Sequence, residues 1–318
     1  MLPPHPPGSA WGTAYHTPVL VAEVLTFLHG AHDVLDGTLG GGGHASALLQ
    51  QGATVTALDR DPEAIAAASA RLDEYVRAGR FRPLRGNFAA VDEIASLAGA
   101  RFDGVLLDLG VSSHQLDAPE RGFSFREGAP LDMRMEGAAP GAIDAATLLN
   151  TASPHELTRI FREYGDEPRA GRLAREIARR RETRPFATSD DLVGAIRGAL
   201  GPRTGPADFA RLFQAVRIAV NDELSALERA LPALRDRLVP GGVIVVIAYH
   251  SGEDRLVKHA FREWSTACIC PPRQPVCTCR GRALGETLTR RAVTPGPEET
   301  AANPRARSAR LRAWRRAA

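Results

Sequence analysis

The apolar residues of this chain follow two alternating patterns. Short apolar runs predict buried strands, and they occupy residues 34–36, 54–58, 81–84, 102–107 and 243–248. Between the second and third runs the apolar residues show helical spacing, as at Ile65, Ala68 and Leu72. Asp61 and Pro62 supply an N-cap and a proline at the first helical position. Strands that alternate with helices predict an α/β fold with a mostly parallel, Rossmann-like sheet, whose ligands bind at the carboxyl ends of the strands.

The alternation stops after the fourth strand and resumes only at the fifth. Between them, Ser153 and Glu156 fit a capping box. The other predicted elements are helices at 169–181, 190–200 and 209–238 and strands at 288–293 and 309–314. We therefore expect a first core segment at 1–112, a helical insert at 113–205 that would recognise RNA, and a second core segment at 206–318.

Composition indicates an ordinary globular protein. The 318 residues are 44% hydrophobic and 24% charged, which suffices for a sizeable core. No apolar run reaches the roughly 18 residues that span a bilayer, and the proline-rich start lacks an apolar signal core, so we expect a cytoplasmic protein that does not bind a membrane. The net charge is +3, and nearly all the basic residues are arginine. A bias of the genome's base composition explains this preference for arginine as well as nucleic-acid binding does. The oligomeric state stays open.

A glycine-rich turn follows the first predicted strand. In the run 40–45, Gly-Gly-Gly-Gly-His-Ala, glycine lets the backbone approach a ligand, and the following helix offers N–H groups. Asp59, at the end of the second strand, can accept the hydroxyls of an adenosine ribose, and Phe88 can cover an adenine. The alternatives are a tight turn, a helix cap and simple packing. The pattern suits NAD and S-adenosylmethionine equally.

A carboxylate and two hydroxyl groups, Asp108, Ser112 and Ser113, follow the fourth strand. When an amine is methylated, its lone pair must point at the methyl group, and a carboxylate that accepts an N–H bond can hold it there. The same carboxylate can then take the surplus proton. The alternative for Asp108 is a structural loop cap.

Nine stretches in order along almost the whole chain give a more specific signal. They are 16–20, 36–44, 108–113, 121–125, 131–135, 213–218, 221–224, 249–251 and 303–305. In these stretches the chain closely resembles the bacterial 16S ribosomal RNA cytosine-N4 methyltransferase family RsmH (MraW). It departs from the family pattern at 207–210, where a usual histidine is missing and a substrate role for it falls into doubt. It also departs at Gly252, which replaces a leucine and should alter only local packing.

The resemblance implies a class I S-adenosylmethionine methyltransferase with an inserted helical domain. Its substrate would be the N4 amino group of a cytidine in the decoding centre of 16S rRNA, within the small ribosomal subunit. The implied cofactor contacts are Gly42, Gly43, His44, Asp59, Phe88, Asp108 and Gln115. Asp108, Tyr249 and His250 are the candidate catalytic residues, since the last two follow the fifth strand and could line a base pocket. A buried structural role is equally open for His250.

Two further clusters stand out. Seven arginines crowd one stretch of the insert, either as a solvated face or as phosphate ligands: Arg169, Arg172, Arg175, Arg179, Arg180, Arg181 and Arg184. The four cysteines fall in the loop at 268–279 as two C-x-C pairs, Cys268, Cys270, Cys277 and Cys279. Four thiolates could close a structural zinc site, although the spacing is tighter than the common C-x-x-C. We expect no catalytic metal.

Three other functions compete with this reading. An NAD-dependent oxidoreductase would use the glycine turn and Asp59 but leaves the Asp108 loop unexplained. An RNA-binding assembly factor could retain the fold without turnover. A DNA amino methyltransferase would usually carry an Asp-Pro-Pro-Tyr-like motif, where this chain has Asp-Leu-Gly-Val at 108–111.

Overall fold

The computed structural model describes residues 18–139, 141–271, 274, 276 and 278–318. These residues form two compact units. A core unit contains the chain up to Gly110 together with Leu224–Ala318, and an insert unit contains Val111–Glu223.

A seven-stranded sheet is the centre of the core unit. Its strands are β1 (Asp33–Asp36), β2 (Thr54–Asp59), β3 (Phe81–Arg85), β4 (Phe102–Asp108), β5 (Leu238–Ala248), β6 (Gly285–Thr287) and β7 (Arg310–Arg316). The order across the sheet is β3-β2-β1-β4-β5-β7-β6, and β7 runs antiparallel to both of its neighbours. This arrangement confirms the predicted Rossmann-like α/β fold and the class I methyltransferase architecture that the resemblance implies.

Buried apolar clusters lie on both faces of this sheet, since Leu106 of β4 belongs to one cluster and Val105 and Leu107 belong to another. The helices of the core unit are α1 (Val21–Phe27), α2 (Gly43–Gln50), α3 (Pro62–Arg71), α4 (Asp73–Arg77), α11 (Glu223–Asp236), α12 (Ser251–Trp264) and α13 (Pro297–Ala302). Val105, Leu106 and Leu107 of β4 are fully buried, as expected for a parallel strand with both faces covered. As the sequence predicts, Asp61 caps α3 by accepting a hydrogen bond from the Glu63 N–H.

The insert unit is built of helices around a core of its own. They are α5 (Ser113–Asp117), α6 (Ala145–Thr151), α7 (Pro154–Glu163), α8 (Ala170–Arg181), α9 (Ser189–Leu200) and α10 (Pro206–Asn221). Ser153 caps α7, its hydroxyl accepting from the Glu156 N–H at 3.1 Å. Asn221, the last residue of α10, holds the loop at residues 133–135. Its side chain donates to the Met133 carbonyl at 2.8 Å and accepts from the Met135 N–H at 2.9 Å.

Two expected elements are wrong. The helix predicted at 209–238 is two helices, α10 and α11, because Asp222 takes a left-handed conformation with φ 51° and ends the first of them. The strand predicted at 288–293 is replaced by β6 at Gly285–Thr287. Leu288 pairs with Ala313, and Val293 pairs with Leu311. Between these two pairs the segment 288–293 advances by five residues, whereas β7 advances by only two. The residues between cannot keep a regular register.

Candidate active site

The glycine turn connects β1 to α2 and is shaped by close packing. Gly40 and Gly42 have φ of 49° and 75°, conformations that disfavour a side chain. A Cβ at Gly42 would lie 3.2 Å from the Ala68 Cβ of α3, and one at Gly43 would lie 2.8 Å from the ring of Pro18. The turn therefore needs these glycines for its own packing, whether or not a ligand approaches.

Three strands of the sheet end in an aspartate beside this turn. Asp36, Asp59 and Asp108 are the last residues of β1, β2 and β4. The Asp59 carboxylate accepts from the Gly40 N–H at 2.8 Å and from the Asp61 N–H at 2.9 Å, so it ties the glycine turn to the end of β2. Burial raises the pKa of Asp59, against the effect of these two hydrogen bonds.

Asp36 is the site residue that motif reasoning missed. Its pKa is raised to about 7, mainly by burial and also by the charges of Asp108 and Asp59, while a hydrogen bond from the Thr38 N–H opposes the shift. The position of Asp36 at a strand end, the rule that singled out Asp59 and Asp108, would have found it. The charges of Asp59 and Asp108 therefore act on a carboxyl group that is withdrawn from water.

Asp108 is held by contacts from three parts of the core unit. The Tyr249 hydroxyl donates to its Oδ1 at 2.9 Å. The Nδ1 atom of His44 lies 3.5 Å from its Oδ2, and the other ring nitrogen of His44 is 2.9 Å from the Val19 carbonyl oxygen. The Asp108 N–H donates to the Thr38 hydroxyl at 2.6 Å. The structure thus brings together Asp108, Tyr249 and His44, which the sequence had placed in one site.

Tyr249 and His250 lie between the end of β5 and the start of α12. Glu253 accepts from the Tyr249 N–H at 2.8 Å, which fixes the backbone that carries the ring. Burial, together with the nearby Asp108 charge, raises the pKa of the Tyr249 hydroxyl well above its ordinary value, so it stays a hydrogen-bond donor. His250 is the N-cap of α12, and its Nδ1 accepts from the Glu253 N–H at 3.4 Å.

Phe88 and Gln115 each lie near the start of a capped helical turn. Phe88 opens a short 3-10 turn at Phe88–Ala90 that Asn87 caps, and its Cβ would be 3.2 Å from a Cβ at Gly37. Gln115 belongs to the insert unit, where it is buried in α5 and its side chain accepts from the Ser112 N–H at 3.1 Å as part of a capping box. Cofactor contacts of both residues stay predictions.

Most arginines predicted as phosphate ligands are engaged within the insert unit. Arg179 and Arg180 donate to Glu176 at 2.8 and 2.6 Å, and these bonds lower the pKa of that acid to about 2. Arg181 donates to the carbonyls of Leu149 and Ala152 at 2.9 and 2.7 Å. Arg169 donates to the Leu200 carbonyl at 2.9 Å, and Arg184 lies 3.5 Å from Asp191.

Arg172 and Arg175 differ from these five. Both are exposed on α8, and neither makes a side-chain hydrogen bond or an ion pair with any residue that the structure describes.

Within the same described ranges, no helix is long and apolar enough to cross a membrane.

Sequence comparison identifies the family. The MraW methylase family matches residues 13–317 of this chain. The chain belongs to that family. It is therefore a methyltransferase, which confirms the resemblance found in the nine motifs and rejects the oxidoreductase alternative.

Relatives of the chain are similar over nearly their whole length. The ribosomal RNA small subunit methyltransferase H of Gemmatimonas aurantiaca is 64% identical, and the match covers 98% of each chain. A protein of the same name from Heliobacterium mobile is 46% identical and is matched over 94% of this chain and 97% of its own. Among solved structures, a putative rRNA-methylase from Clostridium thermocellum covers 94% of this chain and 98% of its own, at 11% identity and a TM-score of 0.41, too low to bear on function.

Proposed function

We propose that this methyltransferase transfers a methyl group from S-adenosylmethionine to the N4 amino group of a cytidine in the decoding centre of 16S rRNA, within the small ribosomal subunit. The observation that carries the proposal is the placement of Asp108 between Tyr249 and His44 at the strand ends beside the glycine turn. The names of the relatives support the ribosomal RNA substrate.

The charge of the site suits this cofactor. S-adenosylmethionine carries a sulfonium cation and an ammonium group, whereas the pyrophosphate of NAD is an anion. Three aspartates at neighbouring strand ends, of which Asp36 feels the charges of the other two, would repel a pyrophosphate and attract a cation. The residues present therefore fit a cationic adenosine cofactor, with Asp59 as the acceptor for its ribose hydroxyls.

The chemistry needs one acceptor at the amine. The N4 lone pair of cytosine is delocalised into the ring, so its alignment decides the rate. Bound S-adenosylmethionine supplies an electrophilic methyl group on sulfur. The Asp108 carboxylate accepts a hydrogen bond from the N4 amino group and so turns the N4 lone pair toward that methyl group. Asp108 would also take the surplus N4 proton when the methyl group is transferred.

The neighbours of Asp108 act by positioning it. The Tyr249 hydroxyl fixes one carboxylate oxygen, and His44 stands beside the other while its Nε2 faces the Val19 carbonyl. Glu253 and His250 hold Tyr249 through the start of α12. We assign His250 a positioning role, because its Nδ1 is committed to the helix cap. The Tyr249 ring also offers a surface for a base that has left its stack.

Recognition of RNA requires cations that can contact phosphate. Arg172 and Arg175 are the members of the arginine cluster whose guanidinium groups stay exposed and without an ion pair among the described residues. We assign these two to the RNA backbone, because an arginine already bound to a carboxylate must give up that partner first.

Labelled S-adenosylmethionine tests the proposal directly. We would incubate the protein with small ribosomal subunits, naked 16S rRNA, duplex DNA and free cytidine, then locate the label by mass spectrometry. We expect labelling of N4 of a cytidine in 16S rRNA, with the assembled subunit preferred. Preferred labelling of DNA or of a ring carbon would overturn the substrate, and binding of RNA without turnover would favour the assembly factor.

A further inference from the structure

Three cysteine side chains converge in the segment that links α12 to β6. The sulfur atoms of Cys268, Cys270 and Cys279 all lie within 4.8 Å of one another. Those of Cys268 and Cys279, eleven residues apart in the chain, are separated by 3.9 Å. A disulfide requires about 2 Å between its sulfurs, so this pair is not bonded in that way. The methyl transfer proposed at Asp108 does not involve these three cysteines.

The separation suits a tetrahedral metal. Zinc bound by thiolates has Zn–S distances of about 2.3 Å, and two sulfurs on one edge of such a tetrahedron are then about 3.8 Å apart. The Ile269 N–H donates to the Cys279 sulfur at 3.3 Å, the kind of backbone contact that orients a sulfur ligand around a metal. We propose that Cys268, Cys270 and Cys279 bind a structural Zn²⁺ ion. Cys277 lies outside the described residues, and the proposal rests on the other three.

Hydrogen bonds anchor the base of the segment. Arg280 donates to the carbonyls of Glu263 and Thr266, the latter at 3.1 Å, and the Leu284 N–H donates to the Trp264 carbonyl at 2.8 Å. These bonds close the base of the loop against the end of α12.

Beyond that base, the apolar side chains give little burial. Ile269 is 45% exposed and Val276 is 71% exposed, so hydrophobic packing contributes little to the order of the tip. A metal supplies the missing constraint, as it does in small domains without a core. The role is structural, because the segment carries none of the candidate catalytic residues.

Metal analysis of the full-length protein, purified under reducing conditions without added metal, tests the site. We expect about one zinc ion per chain. Exchange for cobalt should give the intense visible bands of tetrahedral thiolate coordination, a readout independent of activity. The triple variant Cys268→Ser, Cys270→Ser, Cys279→Ser should lose the metal, whereas Ile269→Ala, which keeps every sulfur and the Ile269 N–H, should retain it.

Proteolysis provides a second measurement that does not depend on the variant folding. Removal of the metal from the wild-type protein by a chelator should increase tryptic cleavage after Arg280 and Arg282, while sites in the sheet stay protected. Less than about a tenth of a zinc ion per chain in the reduced wild-type protein, together with no tetrahedral cobalt spectrum, would overturn the proposal. So would equal zinc in the wild type and the folded triple variant.

Discussion

Two clusters of charge, one in each unit, are arranged in opposite ways. In the core unit, Asp36, Asp59 and Asp108 have the same sign and are largely withdrawn from water, and the pKa of Asp36 rises to about 7 in consequence. In the insert unit, the α8 arginines are more exposed, and most of them are matched by a carboxylate or by carbonyls. Buried like charges reduce stability, so their retention indicates a ligand, whereas a count of surface arginines overstates what is available to RNA.

The largest expected effect comes from removing the proton acceptor of the acidic cluster. Asp108→Asn keeps the shape of the side chain and an oxygen for the Tyr249 hydroxyl but cannot take a proton. Single-turnover methylation of small subunits should fall by about a hundredfold or more, while S-adenosylmethionine affinity changes much less. Rapid-quench measurement of labelled RNA, with titration calorimetry as control, checks this. A rate near that of the wild type would remove Asp108 from the chemistry.

The second effect concerns stability and its dependence on pH. The folded-state pKa of Asp36 is about 7, above its ordinary value of 3.8. The folded protein therefore holds this proton where the unfolded chain has lost it, and the stability that this contributes is lost as pH rises toward and through 7. Asp36→Asn cannot ionise and should raise the free energy of unfolding by about 2 to 4 kcal/mol at pH 8, and by less at pH 5.

Urea unfolding of both proteins at the two pH values measures the difference. The exposed Asp73, paired with Arg77 on α4 at 2.8 Å, offers a control, since Asp73→Asn should change stability little at either pH. An equal gain at pH 5 and pH 8 would contradict a raised pKa at Asp36.

A third effect separates the two roles of Asp59. Asp59→Ala should weaken S-adenosylhomocysteine binding by about 1 to 3 kcal/mol, partly because the Gly40 and Asp61 N–H groups lose their acceptor. A 2′-deoxyribose analogue of the ligand isolates the ribose contact. The wild type should discriminate against this analogue and the variant should not. If both proteins discriminate equally, Asp59 serves only the glycine turn.

The smallest effect is expected in the insert unit. Arg172→Ala with Arg175→Ala should weaken RNA binding a few-fold and reduce the salt slope of the binding constant by about 2. The paired Arg179→Ala with Arg180→Ala is the matched control, equal in charge removed, and should have the weaker effect. Filter binding over a range of salt concentrations compares them. A larger loss in the control pair would show that ion pairing with Glu176 does not withhold those arginines from RNA.

Sequence patterns predicted the parts of this fold that depend on burial. β4 and β5 carry continuous buried apolar runs and are recognisable without any partner, whereas β6 is an edge strand whose register depends on β7. The break at Asp222 was missed because one left-handed residue leaves no change in periodicity, although Asp tolerates that conformation.

The candidate site divides in the same way. Strand-end aspartates can be read from the sequence, Asp36 at the end of β1 included. The contact of His44 with the Val19 carbonyl and the cap made by His250 depend on side-chain geometry that only the folded chain provides. Likewise, no spacing rule separates Arg172 from Arg179, since both lie in the same helix and differ only in their neighbours.

The pairing of β4 with β5 also bears on how the protein is made. Val105 pairs with Ile244, and the whole insert unit, Val111–Glu223, lies between the two strands in the chain. During synthesis β4 emerges first and presents an unpaired, apolar edge until β5 follows, whereas the helices of the insert make local contacts and can form in the meantime. The sheet must therefore be completed late, and the nascent first half is the stage at which aggregation competes with folding.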